Sequence, residues 1–502
     1  MPTSAFVRTN LYKDSVALMR IAQVVLAREG VCRATLLMGT PANKEILAQA
    51  GMRGAEIEDA RPGDLMIVLE ADTIAALDAA SEECAGLLEG ERAPGSRRAA
   101  NVPLRSIAMA HAVAEEAAVA QISVPGPYAA AEAMKALRQG LHVFLFSDNV
   151  PLEQERAIKA LARAKGLLVM GPDCGTAVIR GVPLGFANVV REGAISLVGA
   201  SGTGLQEVMC QIHAQGSGIR HAIGTGGRDV APEVGGSTMR QAIDLLAADA
   251  GTRVIGIVSK PPAPAVARQI LDQATAIDKA FVVLFLGSNL ADERLATHIV
   301  PVTTLHDAAA AAVALLEGKG FAAGLHHPEC AQIAAGEAGR LVSGQRYLRG
   351  LYSGGTFRTE AELLWRDLGV AHTAIDLGDD EFTVGRPHPM IDHSTRIERI
   401  AQEARDPSTA AIVLDVVLGF GAHEDPGGVL APAIAHAKAA CAKDGRHLPV
   451  VAFVCGTEED PQRLSVQQAK LREAGALVLP GSTAAARLAG EIGRLAAHGQ
   501  PR

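Results

Sequence analysis

The feature that most constrains the fold is a recurring pair: a short, continuous apolar run, then an amphipathic helical stretch. AVAQISV, LHVFLFSD and LLVMG have this form, as do AISLVGA, VIGIVSK, AFVVLFLG, AIVLDVVLGFG and PVVAFVCG. Runs of this length without polar alternation suit strands buried on both faces. The stretches between them, such as AAAEAMKALRQG, LQEVMCQIHAQG and SVQQAKLREAG, carry helical periodicity and stop at glycine. Strands separated by such helices pair in parallel through right-handed crossovers. The expected fold class is α/β. The 502 residues exceed what one core holds, so several domains are expected.

Breaks in the pattern suggest four segments. Residues 1–92 read as a small N-terminal α/β domain, with VRTNLY, VCRATLLMG and DLMIVLEA as strands. The polar ERAPGSRRAANVP reads as a linker. Residues 100–190 form a second α/β unit, and residues 191–320 and 345–502 form two more. The Gly-rich stretch between the last two, GKGFAAGLHHPECAQIAAGEAG, reads as a connection. One device recurs in both of these units. A strand ends in a Ser/Gly/Thr loop and a helix begins at once, in LVGASGTGLQEV and in LYSGGTFRTEAEL. They look like two copies of one domain type.

The formal net charge of −8 argues against a broad nucleic-acid surface. Seven cysteines without metal-like pairs point to free thiols in a reducing compartment. No apolar run is long enough for a bilayer, so no membrane partner is expected and a cytoplasmic location is. His326, His327 and Cys330 are close in sequence, but adjacent histidines point apart, and no metal site is expected.

Candidate chemistry gathers in the loops. In Gly199-Ala200-Ser201-Gly202-Thr203-Gly204, small residues let a ligand approach the backbone of a helix start. Unpaired N–H groups and the helix dipole favour an anion there. The hydroxyls of Ser201 and Thr203 could donate; a plain N-capped turn is the other reading. Gly226, Gly227 and Arg228 lie in a second such loop, where Arg228 could clamp a phosphate or carboxylate or simply pair with Asp229. Ser353, Gly354, Gly355 and Thr356 open a third helix start, with Arg358 nearby. If the two domains face each other, two positive helix ends could meet at one anion. Pro125, Gly126, Pro127 and Tyr128 form a stiff loop at a strand end, where Tyr128 could stack on a flat group. Asp173 and Cys174 end another strand; the neighbouring acid disfavours a reactive thiolate, so a backbone-shaping loop is expected. His423 sits at a strand's carboxyl edge, as a substrate residue or part of a solvated turn.

Several segments together resemble succinyl-CoA synthetase. VPGPYA and GPDCG are similar to the CoA-contacting loop and the domain-ending signature of its α subunit. SLVGASGTG and GTGGRDV are similar to its two phosphate-site loops, and LYSGGT and VLGFGAHEDP to the β-subunit ligase domain. The resemblance runs collinearly over roughly residues 100–500. It implies a Rossmann-like CoA-binding-type domain followed by two flavodoxin-like domains. With the extra N-terminal domain and the α-to-β fusion, the chain is identified as a member of the FdrA family. The departures matter: FVVLFLGSNLADERL, where the resemblance places a phosphohistidine, has no histidine, and Lys260 stands about where a supporting glutamate is expected. No ATP-grasp-type domain and no Gly-rich CoA loop is evident, so no cofactor is firmly expected and CoA is open. The resemblance then implies a phosphate cradle without a covalent relay. It suggests a component of an oxamate carbamoyltransferase that exchanges a carbamoyl group between oxalurate and phosphate. Arg228, Lys260 and Arg358 would supply charge there, with other subunits or further copies of the chain as partners. An acyl-CoA ligase and a non-catalytic scaffold are the alternatives.

Overall fold

The computed structural model describes residues 2–13, 15–49, 52, 54–90, 104–288, 290, 293–324, 328–383 and 386–498. The linker-like 91–103 and the His326-His327 pair lie outside them. The chain divides into two compact units: Met1–Arg105 with Asp380–Asp392, and Ser106–Asp379 with His393–Arg502.

In the first unit, β1 (Thr3–Arg8), β2 (Val31–Met38) and β3 (Leu65–Ala71) form an antiparallel sheet in the order β1-β3-β2. The central β3 is covered on both faces, which is why LMIVLEA is apolar almost throughout. Ile67 and Leu69 pack with Leu18, Ile21 and Leu77, while Met66 and Val68 pack with Leu47 and Ile57. The first strand ends earlier than VRTNLY suggests. Asn10 turns into the left-handed region and its N–H bonds Asp64 Oδ1 at 2.8 Å.

The second unit starts with a parallel sheet of β4 (Val119–Ile122), β5 (His142–Leu145) and β6 (Val169–Met170). A hairpin of β7 (Thr176–Ile179) and β8 (Val182–Gly185) follows. It joins, antiparallel, the edge of the next sheet, a pairing that short TAVI and VPLG runs do not reveal by pattern. That sheet adds β9 (Glu192–Gly199), β10 (Ile219–Gly224), β11 (Val254–Ser259), β12 (Ala280–Phe285) and β13 (Ile299–Pro301). Its parallel part runs β13-β12-β11-β9-β10. The last sheet contains β14 (Tyr347–Tyr352), β15 (His372–Asp376), β16 (Thr409–Val417), β17 (Val450–Cys455) and β18 (Leu477–Leu479), in the order β15-β14-β16-β17-β18.

The two five-stranded parallel arrangements, β9–β13 and β14–β18, therefore have the flavodoxin-like order 2-1-3-4-5. Each has its switch point between its first and third strands, where ligands gather beyond the carboxyl ends. The chain is an α/β protein of parallel sheets. The stretch expected as a plain connection contains a helix, Pro328–Ala338. Its small residues let it pack closely on the helix Ser482–His498, with Ala334 fully buried. The chain's one tryptophan, Trp365, fixes the helix Gly355–Asp367. It is buried, and its Nε1–H donates to the Ala486 carbonyl at 2.8 Å. Among the described residues, no helix is long and apolar enough to cross a membrane.

Candidate functional site

The two helix starts that follow β9 and β14 meet. At the end of β9 only glycine fits at 199, since a Cβ there would lie 2.0 Å from the Val258 carbonyl oxygen. The chain then turns into the helix Gly202–Ala214, and Ser201 caps it, its Oγ accepting from the Gly204 N–H at 3.0 Å. The same hydroxyl shares a 2.5 Å hydrogen bond with Thr356 Oγ1, one residue into the helix Gly355–Asp367. The contact is reciprocal. A Cβ on Gly354 would come within 2.5 Å of Thr203 Cγ2, and one on Gly204 within 3.1 Å of Thr356 Cγ2. Ser201, Thr203, Ser353 and Thr356 are buried, while Gly202 and Gly355 are half-buried, so the approach is over glycine backbone.

The hydroxyls play another part than expected. Ser201 is committed to its cap and to Thr356. Ser353 gives both its N–H (2.8 Å) and its hydroxyl to the Asp415 carboxylate. A buried hydroxyl must find a partner within the protein, so these residues build the cradle, and what it leaves partly open is the backbone of Gly202 and Gly355.

The second Gly-rich loop is tied to the first, with the Thr225 N–H donating to the Gly199 carbonyl at 2.9 Å. Gly226 has φ +81°, and a Cβ there would strike the Pro172 carbonyl at 2.0 Å. A Cβ on Gly227 would lie 3.6 Å from Asp173 Oδ2 and 3.9 Å from Lys260 Nζ. Asp173, Gly226, Gly227 and the exposed Lys260 are thus brought together. Arg228 is half-exposed but committed. It pairs with the buried Glu155 at 2.9 Å and donates to the Val150 carbonyl at 2.5 Å. Asp229 instead pairs with Lys159 at 2.8 Å and accepts from the N–H groups of Thr238 and Met239. Removing Arg228 from Glu155 would leave a buried carboxylate short of a partner, so Lys260 is the freer cation.

Burial pushes the Cys174 thiol up to about 12, and its Sγ lies 3.5 Å from the Thr176 carbonyl, so it shapes the loop. Pro125 stands before the helix Gly126–Arg138, with Tyr128 exposed on its first turn. Ser147 links this loop to Asp173: its Oγ donates to the Val124 carbonyl at 2.5 Å, and its carbonyl accepts from the Asp173 N–H at 3.0 Å.

Four side chains near the third loop escaped the sequence reading. Asp376, at the end of β15, places Oδ2 2.9 Å from where a Cβ on Gly355 would be; burial pushes its carboxyl up to about 6, and Arg358 opposes the shift. Arg358 is half-buried, with no partner for its Nε. Asp415 lies inside the fully buried β16 and is held by Arg396, which bonds its carbonyl at 2.5 Å and its carboxylate at 3.0 Å. The ring of His423 lies 5.4 Å from that of the buried His393, centroid to centroid. A lone acid in AIVLDVVLGFG was the visible signal for Asp415.

Behind the cradle, each site helix carries a buried glutamate at the same offset, Glu207 and Glu360. Both converge on Ser482: its N–H donates to Glu207 Oε1 at 2.9 Å and its hydroxyl to Glu360 Oε2 at 2.6 Å.

Two flavodoxin-like domains with apposed glycine-lined helix starts define a chain of the succinyl-CoA synthetase type. Residues 190–287 match the CoA binding domain family and residues 351–492 the CoA-ligase family. Residues 1–103 match the family described as AllF, heavy metal-associated domain. Among the described residues, no group of three or more His, Cys, Asp or Glu is placed to hold a metal. The chain is 42% identical to the uncharacterized protein YahF of Escherichia coli (strain K12), over 98% of this chain and 99% of that one. It belongs to the FdrA family. It is also similar to two ligase subunits, each matched over 28% of this chain and about half of its own length. These are the ADP-forming sulfoacetate-CoA ligase subunit SauD of Bilophila wadsworthia (strain 3_1_6), 26% identical over 50% of its length, and the succinate–CoA ligase [ADP-forming] subunit alpha of Aquifex aeolicus (strain VF5), 28% identical over 46%.

Proposed function

We propose that the apposed helix starts hold the phosphoryl end of an acyl phosphate, and that the chain moves the acyl group between phosphate and a second acceptor. The observation that carries this reading is the Ser201–Thr356 contact, which brings two N-terminal dipoles to one place. Acyl-CoA synthetase chemistry is the better supported form, because the matching families are CoA-ligase types. In that form the thiolate of CoA attacks the carbonyl carbon, the bond from that carbon to the bridging oxygen breaks, and phosphate leaves with that oxygen. The fixed N–H groups of the cradle stabilise the departing charge. Lys260 adds a cation, and Asp376 can exchange a proton near neutrality.

A narrower form keeps phosphate and makes the acyl group carbamoyl, exchanged between oxalurate and phosphate. The lack of a histidine in residues 281–295 favours direct transfer of this kind over a histidine relay. Either form leaves room for partner subunits that supply or consume the acyl phosphate. The test is phosphate release by the purified chain from acetyl phosphate with CoA, and from carbamoyl phosphate with oxamate. Release from at least one pair is expected, reduced about 100-fold by Gly202→Val, the effect of removing an electrostatic donor set. No release from either pair above that variant's level sinks the reading.

A further inference from the structure

The last sheet carries a second recess, at the edge opposite the cradle. The cradle lies past the carboxyl end of β14, whereas this cavity opens at the amino ends of β17 and β18. It holds about 500 Å³, next to the last turns of the helices Pro328–Ala338 and Pro426–Lys443. Leu448 is buried in its lining and Leu477 half-buried, while Ala439, Ala442 and Gly475 are exposed, so the cavity is open to solvent.

Its charge is unbalanced. Arg340, Lys438 and Arg446 line it, against one carboxylate, Glu337. That carboxylate is already shared: Oε2 lies 2.6 Å from His447 Nε2, and Oε1 lies 3.5 Å from Arg340. Capping of a helix end explains one of the cations. Arg446 gives its terminal nitrogens to the carbonyls of Ala404 and Asp406, at 2.8 and 3.1 Å, and the exposed Asp444 touches it at 3.4 Å. Capping leaves the other two unexplained. Lys438 Nζ has one hydrogen bond among the described residues, to the Leu448 carbonyl at 2.9 Å, so two of its N–H groups remain for a ligand. Burial holds this half-buried amine below its usual range, a desolvation cost that a bound anion would offset. Arg340 is 64% exposed, and its loose pair with Glu337 leaves a guanidinium that can turn to a ligand.

Three cations facing one carboxylate leave an excess of two positive charges, which a dianion matches and a monocarboxylate does not. The space exceeds a bare ion, and Ala442 and Leu477 offer apolar surface to an organic body. We propose that this recess binds a small phosphomonoester, its dianion held by Lys438 and Arg340 and its organic body lying along Leu477 and Ala442. This site is separate from the cradle and stands whatever group the cradle transfers.

The experiment is calorimetric titration of the full chain carrying Gly202→Val, which closes the cradle. The probes are adenosine monophosphate and ribose 5-phosphate, with adenosine and ribose as their uncharged counterparts. At least one ester is expected to bind, about tenfold or more tighter than its counterpart. Adding Lys438→Met should weaken that binding about tenfold, the loss of one charge-assisted hydrogen bond. Glu337→Gln removes the opposing carboxylate and should tighten it about threefold, a change of sign that a purely structural role would not produce. Unchanged far-ultraviolet dichroism shows that each variant folds. Should Lys438→Met not fold, the exposed Arg340→Gln carries the same test, with about threefold weaker binding expected. Binding of neither ester, equal binding of each ester and its uncharged counterpart, or ester binding indifferent to the folded Lys438 or Arg340 variant overturns the proposal.

Discussion

Replacing Glu207 with Gln should make the protein more stable at alkaline pH. The carboxyl is fully buried, and burial pushes it from the usual 4.5 up to about 7. Oε1 accepts from the Ser482 N–H at 2.9 Å and from Gln211 Nε2 at 2.8 Å, and a glutamine can keep both bonds. A folded value above the unfolded one means that the native state holds the proton more tightly. The stabilisation is complete below about pH 4.5 and is lost as pH rises through about 7. At ~1.4 kcal/mol per pH unit, the ionised group costs about 3 kcal/mol at pH 8 relative to pH 4.5. Glu207→Gln should therefore gain about 2–3 kcal/mol at pH 8 and little at pH 5. Urea unfolding followed by the fluorescence of Trp365 reads this directly, since that buried ring is bonded to the C-terminal helix through the Ala486 carbonyl. Burial also raises Glu360, so part of the pH slope will remain in the variant. Parallel loss of stability in wild type and variant between pH 5 and 8 would refute the reasoning.

Ser201→Ala and Thr356→Ala should each cost about 2 kcal/mol, from a lost cap or an orphaned hydroxyl. The double variant should cost about 1 kcal/mol less than the sum, because the two share one bond; strict additivity of the urea midpoints contradicts the contact. Gly202→Val places a side chain 3.3 Å from Thr176 Oγ1 and over the open backbone. It should abolish stabilisation by phosphate while leaving the far-ultraviolet dichroism unchanged. Sulfate, whose charge is constant from pH 5 to 8, should bind the wild type progressively more weakly as pH rises through about 6, where Asp376 ionises beside Gly355. Asp376→Asn should flatten that profile in calorimetry, and an unchanged slope argues that the anion sits elsewhere.

The strands that carry the site were legible because they are buried on both faces. A run such as AFVVLFLG has no other comfortable place in a soluble fold. The glycine loops were legible too, since each close approach excludes a Cβ and leaves glycine as its trace: 199 against Val258, 354 against Thr203. What pattern could not give is pairing between distant segments. The hairpin β7–β8 joins the second sheet across strand β10, and Asp376 reaches Gly355 from a different strand. Charge assignments suffered for the same reason. Arg228 stands next to Asp229 in sequence but pairs with Glu155, because Asp229 is drawn inward to cap a helix and hold Lys159. The helix Pro328–Ala338 was hidden by its own composition: alanine and glycine that look like a flexible connection are what a helix needs to lie close on another.

Because Ser201 and Thr356 belong to one polypeptide, the meeting of the two helix starts does not depend on concentration. A cradle divided between separate chains would fall apart on dilution, and either half could be made in excess. Here the folded segment of residues 202–355 holds the second half within the same chain. Such a protein needs no association of chains to bring these two helix starts together.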